Sequence, residues 1–300
     1  MPSRVRRYES IPRYIAAFVV VTCLASTGGG QTLGTPPSPA PSENAAGEGH
    51  NEGTPAEPTE AEDFIETDRN SFTFARVTPG AGRLIVESSY SYINLSGEKI
   101  KNSFPELLMR YGIGERFELR LGWNFETGRE RVPGAGDIAG FFGANAEQQM
   151  YYGFKAVVSK NLGWIPGSAF LLQGHTPTGG PQSVSQLRAG YVLGWTLPNR
   201  WNFDAGFRFG TDKDEEGSYR LWAPSAVLKI PLTRDERWFT HVEYFGVMTQ
   251  GKKNDSHAQF VDFGLHHLFT PNIEAGAIVA FGPHSGGLNL VTNVGIGVRF

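Results

Sequence analysis

The sequence predicts an all-β fold, a transmembrane β-barrel of the outer-membrane type with about twelve antiparallel strands. Three observations predict it: an export signal at the N-terminus, connections that alternate between short and long, and regular alternation in the final strand. In that strand, apolar Val294, Ile296, Val298 and the terminal Phe300 alternate with polar or small residues. Successive strand side chains point to opposite faces, so this strand suits a wall between lipid and a polar interior.

Composition is consistent with this fold and argues against others. The chain has 300 residues, 38 glycines, 12% aromatic residues and a net charge of -3. This small charge gives no reason to expect nucleic acid as a partner. After the N-terminal region no apolar run reaches about 18 residues, so the sequence predicts no membrane-spanning helix.

Residues 1–27 are predicted to be a signal peptide. Four arginines occur in the first 13 residues, an apolar run covers residues 14–24, and small residues follow. The only cysteine, Cys23, would leave with this peptide, which excludes disulfides and cysteine catalysis in the mature chain. A lipid anchor on Cys23 is the alternative, but Thr22 before it departs from the usual lipidation motif.

Residues 28–62 are predicted to form a disordered linker. They are rich in Pro, Gly, Ala, Ser and Glu and contain no Lys or Arg. Such a segment buries too little apolar surface to offset its chain entropy. An acidic binding tail is the alternative interpretation.

Residues 63–82 are predicted to form a leader segment near the periplasmic mouth of the barrel. The segment is apolar at Phe72, Phe74 and Val77, yet it precedes the first strand. It could pack against the mouth, enter the lumen or stay disordered, and the sequence leaves all three open.

Residues 83–300 divide into runs of about ten residues, which predict the strands of the barrel. The predicted strands are 83–95, 103–112, 115–126, 147–159, 167–175, 185–197, 200–211, 218–231, 237–249, 257–269, 272–282 and 289–300. Short turns such as 270–272 alternate with longer polar loops such as 127–146. Outer-membrane barrels have short periplasmic turns and long external loops, and an even strand count places both ends of the barrel on the periplasmic side.

Charged residues share one face of the predicted strands. In the third and seventh strands, Glu118, Arg120, Asp204 and Arg208 occupy the parity opposite to the aromatic and aliphatic residues. A lipid-facing Arg at mid-depth costs about 2–4 kcal/mol, so these charges should point into the lumen. A soluble β-sandwich or lipocalin-like barrel also alternates, but with its charges toward water.

The same parity predicts the residues that line the lumen. They are Glu87, Glu106, Arg110, Glu118, Arg120, Asp204, Arg208, Lys229, Glu243, Asp262, Glu274 and Arg299. The two signs nearly balance, so a water-filled pore would be only weakly ion-selective. The alternative is that these charges pair and fill a narrow lumen.

Two segments resemble a known family. Residues 65–74 contain a Thr-Asp-Arg stretch followed by Phe, and residues 105–120 contain an Arg-Tyr-Gly hairpin with Arg, Glu, Leu and Arg after it. They resemble the family named "putative MetA-pathway of phenol degradation", often labelled "transporter". Asn70 stands where that family usually has proline. The resemblance extends from about residue 65 to the C-terminus, implies an outer-membrane barrel and implies no catalytic residues.

Two glycines in the hairpin of residues 105–120 are predicted to make its turn. Gly112 and Gly114 would permit a tight turn with positive φ. On the paired strands, Glu106, Arg110 and Glu118 then share the inward parity and can pair across the ladder.

One histidine pair raises the question of a metal site. His241 is predicted to lie about opposite His266, with Glu274 diagonal to them on the next strand. Two imidazoles and a carboxylate can bind a metal, but polar lumen residues are commoner, and we predict no metal site and no cofactor. The chain has no Gly-x-Ser-x-Gly elbow, so we predict that it is not an enzyme.

The predicted function is passive passage of small solutes, aromatic or hydrophobic ones among them, through an outer-membrane channel gated by the 127–146 loop. The alternative is a non-conducting barrel that binds a partner or supports the envelope. The expected partners are outer-membrane lipid, a small-molecule solute and the barrel-assembly machinery, which would recognise Phe300. The oligomeric state stays open.

Overall fold

The computed structural model describes most of the chain after the predicted linker. The described residues are 63–69, 71–94, 100–127, 148–179, 185–214, 217–253, 255, 257–284 and 287–300. The predicted signal peptide and linker lie outside these residues, as does all but the first residue of the predicted 127–146 gating loop.

Twelve antiparallel strands close into one barrel, in which β1 pairs with both β2 and β12. The strands are β1 Leu84–Asn94, β2 Lys101–Gly114, β3 Phe117–Thr127, β4 Gln148–Ser159, β5 Gly167–Gly179, β6 Gln186–Thr196, β7 Asn202–Asp214, β8 Gly217–Pro231, β9 Trp238–Gln250, β10 His257–Thr270, β11 Ile273–His284 and β12 Gly287–Arg299. A short 3-10 turn, Pro198–Arg200, joins β6 to β7. The predicted fold class and strand number are confirmed.

Side-chain exposure alternates along the strands with the apolar residues outside. In β10, Val261, Phe263 and Leu265 are exposed, whereas Asp262 and His266, which have the opposite parity, are buried. A soluble barrel would place its charges outside and its apolar residues inside. The arrangement found is that of a wall facing lipid, and it contradicts the soluble alternative.

No helix in the part of the chain that the structure describes is long and apolar enough to cross a membrane.

Residues 64–69 and 71–76, here called the plug segment, lie inside the barrel. The segment starts at the end of the barrel where β1 begins and β12 ends, and there the Ile65 N–H donates to the Pro271 carbonyl (2.8 Å). It reaches mid-barrel, where Phe72 and Phe74 are fully buried. It then returns to the same end, where Arg76 donates to Asn202 (3.0 Å). We call this end periplasmic, as the even strand number predicts.

The tip of the plug segment packs into an apolar part of the lumen. The ring of Phe72 stacks on Phe245 at a centroid distance of 4.4 Å, and Phe245 stacks on Phe260 at 5.0 Å. Inward apolar residues of β1, β8, β11 and β12 complete this cluster. Part of the barrel interior is therefore an apolar core. The pattern of inward charges in the sequence did not predict this core.

The two glycines expected to form the β2–β3 turn do not form it. Gly112 and Gly114 both lie within β2, neither has a positive φ, and the turn is at residues 115–116. Gly112 is needed for another reason: a Cβ there would overlap the carbonyl oxygen of Gly80. Gly80 itself has φ +89°, in the connection from the plug segment to β1. The close approach lets that connection cross the β2 backbone.

The two glycines of β2 provide a matched test of this close approach. Gly112→Ala should lower the free energy of unfolding by about 1–3 kcal/mol, because backbone must move to admit the methyl group. Gly114→Ala should change it little, since nothing lies within 4 Å of a Cβ there. Urea unfolding of the detergent-folded protein measures both, and equal effects would contradict the proposed crossing.

Candidate functional site

The charged residues of the plug segment each face wall residues of opposite sign. The pairs are Glu66 with Lys229, Asp68 with Arg110, Arg120 and Lys155, Arg69 with Glu106, and Arg76 with Asp204. These partners lie on β2, β3, β4, β7 and β8, so charged groups of the plug segment contact more than one side of the wall. The plug segment and the lumen are therefore complementary in charge.

Asp68 lies at the centre of the buried charges. Its carboxylate is 3.2 Å from Lys155 Nζ and 3.6 Å from Arg110 Nη1, and it also accepts a hydrogen bond from Arg120. Burial by itself would raise the pKa of Asp68, but the positive charges of Arg110, Lys155 and Arg120 outweigh it and hold that pKa well below its usual value. Asp68 is therefore an anion at neutral pH.

Two wall carboxylates share these cations. Glu118 accepts from Arg110 at 3.1 Å and from Arg120 at 2.7 Å. Glu87 is 3.1 Å from Arg110 and also accepts the backbone N–H groups of Asp68 and Arg69, both at 2.9 Å. The wall thus places two carboxylates beside three cations, and Asp68 supplies the third carboxylate. Buried charges are tolerated only with such partners.

Arg69 extends from the plug segment to a second group of wall residues. Its guanidinium donates to Tyr151, to Asn124 at 3.3 Å and to Ser89 at 3.3 Å, and it lies 3.5 Å from Glu106. Ser89, Glu106, Asn124 and Tyr151 belong to four consecutive strands, β1 to β4. One side chain therefore links the plug segment to a third of the wall.

Wall carboxylates also bind the backbone of the plug segment. Glu243 accepts the N–H groups of Phe72 and Thr73, both at 2.7 Å, and Glu274 accepts the Thr67 hydroxyl at 3.1 Å. A buried segment outside any sheet leaves its N–H groups without ladder partners, so such acceptors are required. In this way the inward carboxylates position the plug segment.

Ten of the twelve predicted lumen residues are buried inside the barrel. They are Glu87, Glu106, Arg110, Glu118, Arg120, Asp204, Arg208, Glu243, Asp262 and Glu274. Lys229 and Arg299 lie toward the periplasmic end, where Lys229 pairs with Glu66 and Arg299 donates to Asn272 at 2.8 Å. Their part in solute passage stays a prediction.

Sequence reasoning missed the plug residues and several polar wall residues. Thr67, Asp68 and Arg69 make the contacts above, and the family resemblance was the signal that marked them. Tyr151 shares inward parity with Lys155 on β4 and could have been found in that way. A Cβ on Gly122 would overlap the Tyr151 ring, so this glycine makes room for it.

The histidine register differs from the prediction by two residues. His241 pairs with Gly264 and His266 pairs with Phe239, so the two histidines are not opposite each other. Both still point inward, with His241 Nδ1 2.8 Å from His266 Nε2. Glu274 lies beside His266 as expected, at 3.3 Å.

A cavity of about 190 Å³ lies at the periplasmic end between the plug segment and the wall. Phe64 and Glu66 line it from the plug segment, and Arg200, Phe239 and Glu274 line it from the barrel. It marks the place where the plug segment meets the periplasmic mouth.

Comparison with known proteins gives a family and a fold. A family model described as "Putative MetA-pathway of phenol degradation" matches residues 67–300. Among curated proteins none matches the chain.

Solved outer-membrane structures share the fold. An outer membrane channel from Pseudomonas putida F1 is 9% identical, with 82% of this chain and 100% of that chain covered and a TM-score of 0.50. The NanC porin is 11% identical, with 72% and 98% covered and a TM-score of 0.49. The translocator domain of the autotransporter NalP from Neisseria meningitidis is 11% identical, with 74% and 89% covered and a TM-score of 0.43. The chain thus has the fold of an outer-membrane β-barrel, with its apolar side chains on the outer face, where a membrane barrel meets lipid.

The buried cluster predicts a large difference between two arginines. Arg110→Met should lower the free energy of unfolding by about 3–5 kcal/mol, because it leaves Glu118, Glu87 and Asp68 short of a buried cation. Arg200→Met removes an exposed pair with Glu236 in the turns and should cost about 1 kcal/mol or less. Urea unfolding in detergent measures both variants. Similar losses would show that the buried cluster is not what stabilises the barrel.

Proposed function

The chain belongs to the family described as "Putative MetA-pathway of phenol degradation", and from this membership and the occupied lumen we propose a plugged channel for small solutes. In this proposal the plug segment is the gate, and passage is passive. The outer-membrane channel from Pseudomonas putida F1, which has the same fold, supports the general class. Enzyme activity is not part of the proposal.

The observation that carries the proposal is how the plug segment is held. At the periplasmic rim, the Ile65 N–H donates to the backbone carbonyl of Pro271. Deeper in the barrel, each contact described above involves a side chain of the plug segment or of the wall. Side chains can exchange partners for water without breaking the strand ladder, so the plug segment can leave while the barrel stays closed.

The size of the barrel supports a passage behind the plug segment. About eight strands enclose a lumen that wall side chains alone can fill, whereas 16 to 18 strands leave an aqueous channel. Twelve strands lie between these cases. The plug segment fills the additional space, and its displacement would open a route for a small molecule.

The apolar part of the lumen supports solutes with an aromatic or hydrophobic part. Phe245 and Phe260 present stacked rings at the tip of the plug segment. The Arg208 guanidinium lies 5.0 Å from the Phe72 ring centroid and 5.2 Å from that of Phe74. If the plug segment withdrew, these wall aromatic rings and the cation would face the opening, a combination that suits aromatic solutes carrying a polar group.

The second candidate function is a non-conducting barrel in which the plug segment never leaves. The observation that favours it is the complete burial of Arg110, Glu118 and Lys155 around Asp68. Such a barrel would bind a partner or support the envelope. In either case we propose that the barrel-assembly machinery recognises the terminal Phe300, whose side chain is exposed.

A reversible tether separates these candidates. The hydroxyl oxygens of Thr73 and Ser225 are 2.7 Å apart, so sulfurs at these positions can form a disulfide between the plug segment and β8. Thr73→Cys with Ser225→Cys, in a Cys23→Ser chain, should lose its conductance steps in planar bilayers when oxidised. Reduction should restore them, because the plug segment is then released.

The two single-cysteine variants are the controls, and both should conduct whether oxidised or reduced. Conductance that persists in the oxidised double variant would contradict gating by the plug segment. Silence of the wild-type chain and of every reduced variant would favour the non-conducting barrel.

A further inference from the structure

Three potential metal ligands face one another inside the barrel near the plug segment. Glu243 on β9 and Asp262 on β10 are direct partners in the antiparallel register, and His241 precedes Glu243 by two residues on the same face. All three side chains are buried, and one ligand atom from each lies within 4.8 Å of the others. This group of ligands differs from the set considered from the sequence, which combined His241 with His266 and Glu274.

The two carboxylates lack a cationic partner. Like charges directly opposite each other on neighbouring strands are destabilising, and burial increases the cost. Among the described residues, no Lys or Arg forms an ion pair with Glu243 or Asp262. Asp262 Oδ1 lies 2.8 Å from His241 Nε2, while its buried Oδ2 has no hydrogen-bond partner. The cluster therefore has an excess of negative charge.

His241 contacts two further groups inside the barrel. Its Nδ1 lies 2.8 Å from His266 Nε2, and its Nε2 lies 2.8 Å from Asp262 Oδ1. His266 Nδ1 lies 3.3 Å from Glu274 but makes no hydrogen bond.

A proton between His241 Nε2 and Asp262 Oδ1 satisfies that contact, but it leaves Asp262 Oδ2 without a partner and Glu243 directly opposite Asp262. A divalent ion among the three residues can contact all of them.

We propose that His241, Glu243 and Asp262 bind a divalent transition-metal ion. Two positive charges neutralise the two carboxylates, whereas a proton on His241 neutralises only one of them. One imidazole with two carboxylates suits Zn²⁺ or Mn²⁺ better than Mg²⁺ or Ca²⁺. His266 orients His241 from behind, as second-layer partners of metal-bound histidines do.

The ion would join the wall to the plug segment. Glu243 accepts the backbone N–H groups of Phe72 and Thr73, so a ligand of the ion also holds the tip of the plug segment. This binding site does not depend on the proposed function, since a non-conducting barrel could hold the same ion.

Manganese binding to the full detergent-folded chain tests the site. Free Mn²⁺ is followed by electron paramagnetic resonance, with Zn²⁺ as the competitor. We expect one Mn²⁺ per chain that Zn²⁺ displaces and that excess Mg²⁺ does not. Asp262→Asn, which keeps the side-chain shape, should weaken binding by about tenfold or more, because it removes a ligand charge.

A matched pair of histidine variants controls for binding elsewhere. His241→Gln should lose the ion, whereas His267→Gln, on the opposite face of β10 from His266, should keep it. If His241→Gln fails to fold, Asp262→Asn decides. Absence of bound Mn²⁺ in the wild-type chain, or equal binding in Asp262→Asn, would overturn the proposal and leave a proton between His241 and Asp262.

Discussion

The structure depends on neutralising charges that the barrel wall places in its own interior. Arg110, Arg120 and Lys155 lie together with Glu87 and Glu118, and the third carboxylate comes from Asp68 outside the wall. A buried cation without its anion costs several kcal/mol. The segment before the first strand is therefore part of the fold of the barrel and not an addition to it.

This dependence also bears on how a passage can open. Removing Asp68 alone would leave three buried cations with only two carboxylates, which is expensive. If the whole plug segment moves into the periplasm, water reaches the charged groups of the plug segment and those of the wall. Each group then exchanges a protein partner for solvent. The side chains that hold the plug segment most firmly are thus also groups that water can solvate. Charge complementarity and a movable gate are compatible for this reason.

The faces of the strands could be predicted from the sequence, whereas their partners could not. Parity alone placed Arg110, Glu118 and Asp262 inside, because side chains alternate with a period of two. It could not give the two-residue offset of His241 and His266, since hairpin register depends on the loop. The plug segment has no such period, and its contacts join residues far apart in sequence, such as Thr67 and Glu274. The role of Gly112 likewise rests on a close approach that no local pattern shows.

The position of the plug segment is tested most directly by the rate at which single cysteines in residues 63–82 react with a water-soluble maleimide. In a Cys23→Ser chain folded in detergent, a cysteine replacing buried Thr73 is compared with one replacing exposed Val77. We expect Thr73→Cys to react more slowly than Val77→Cys by a factor of about ten or more, because labelling requires the plug segment to open locally. In urea the two should react alike. Equal rates in the folded protein would contradict the presence of the plug segment inside the barrel.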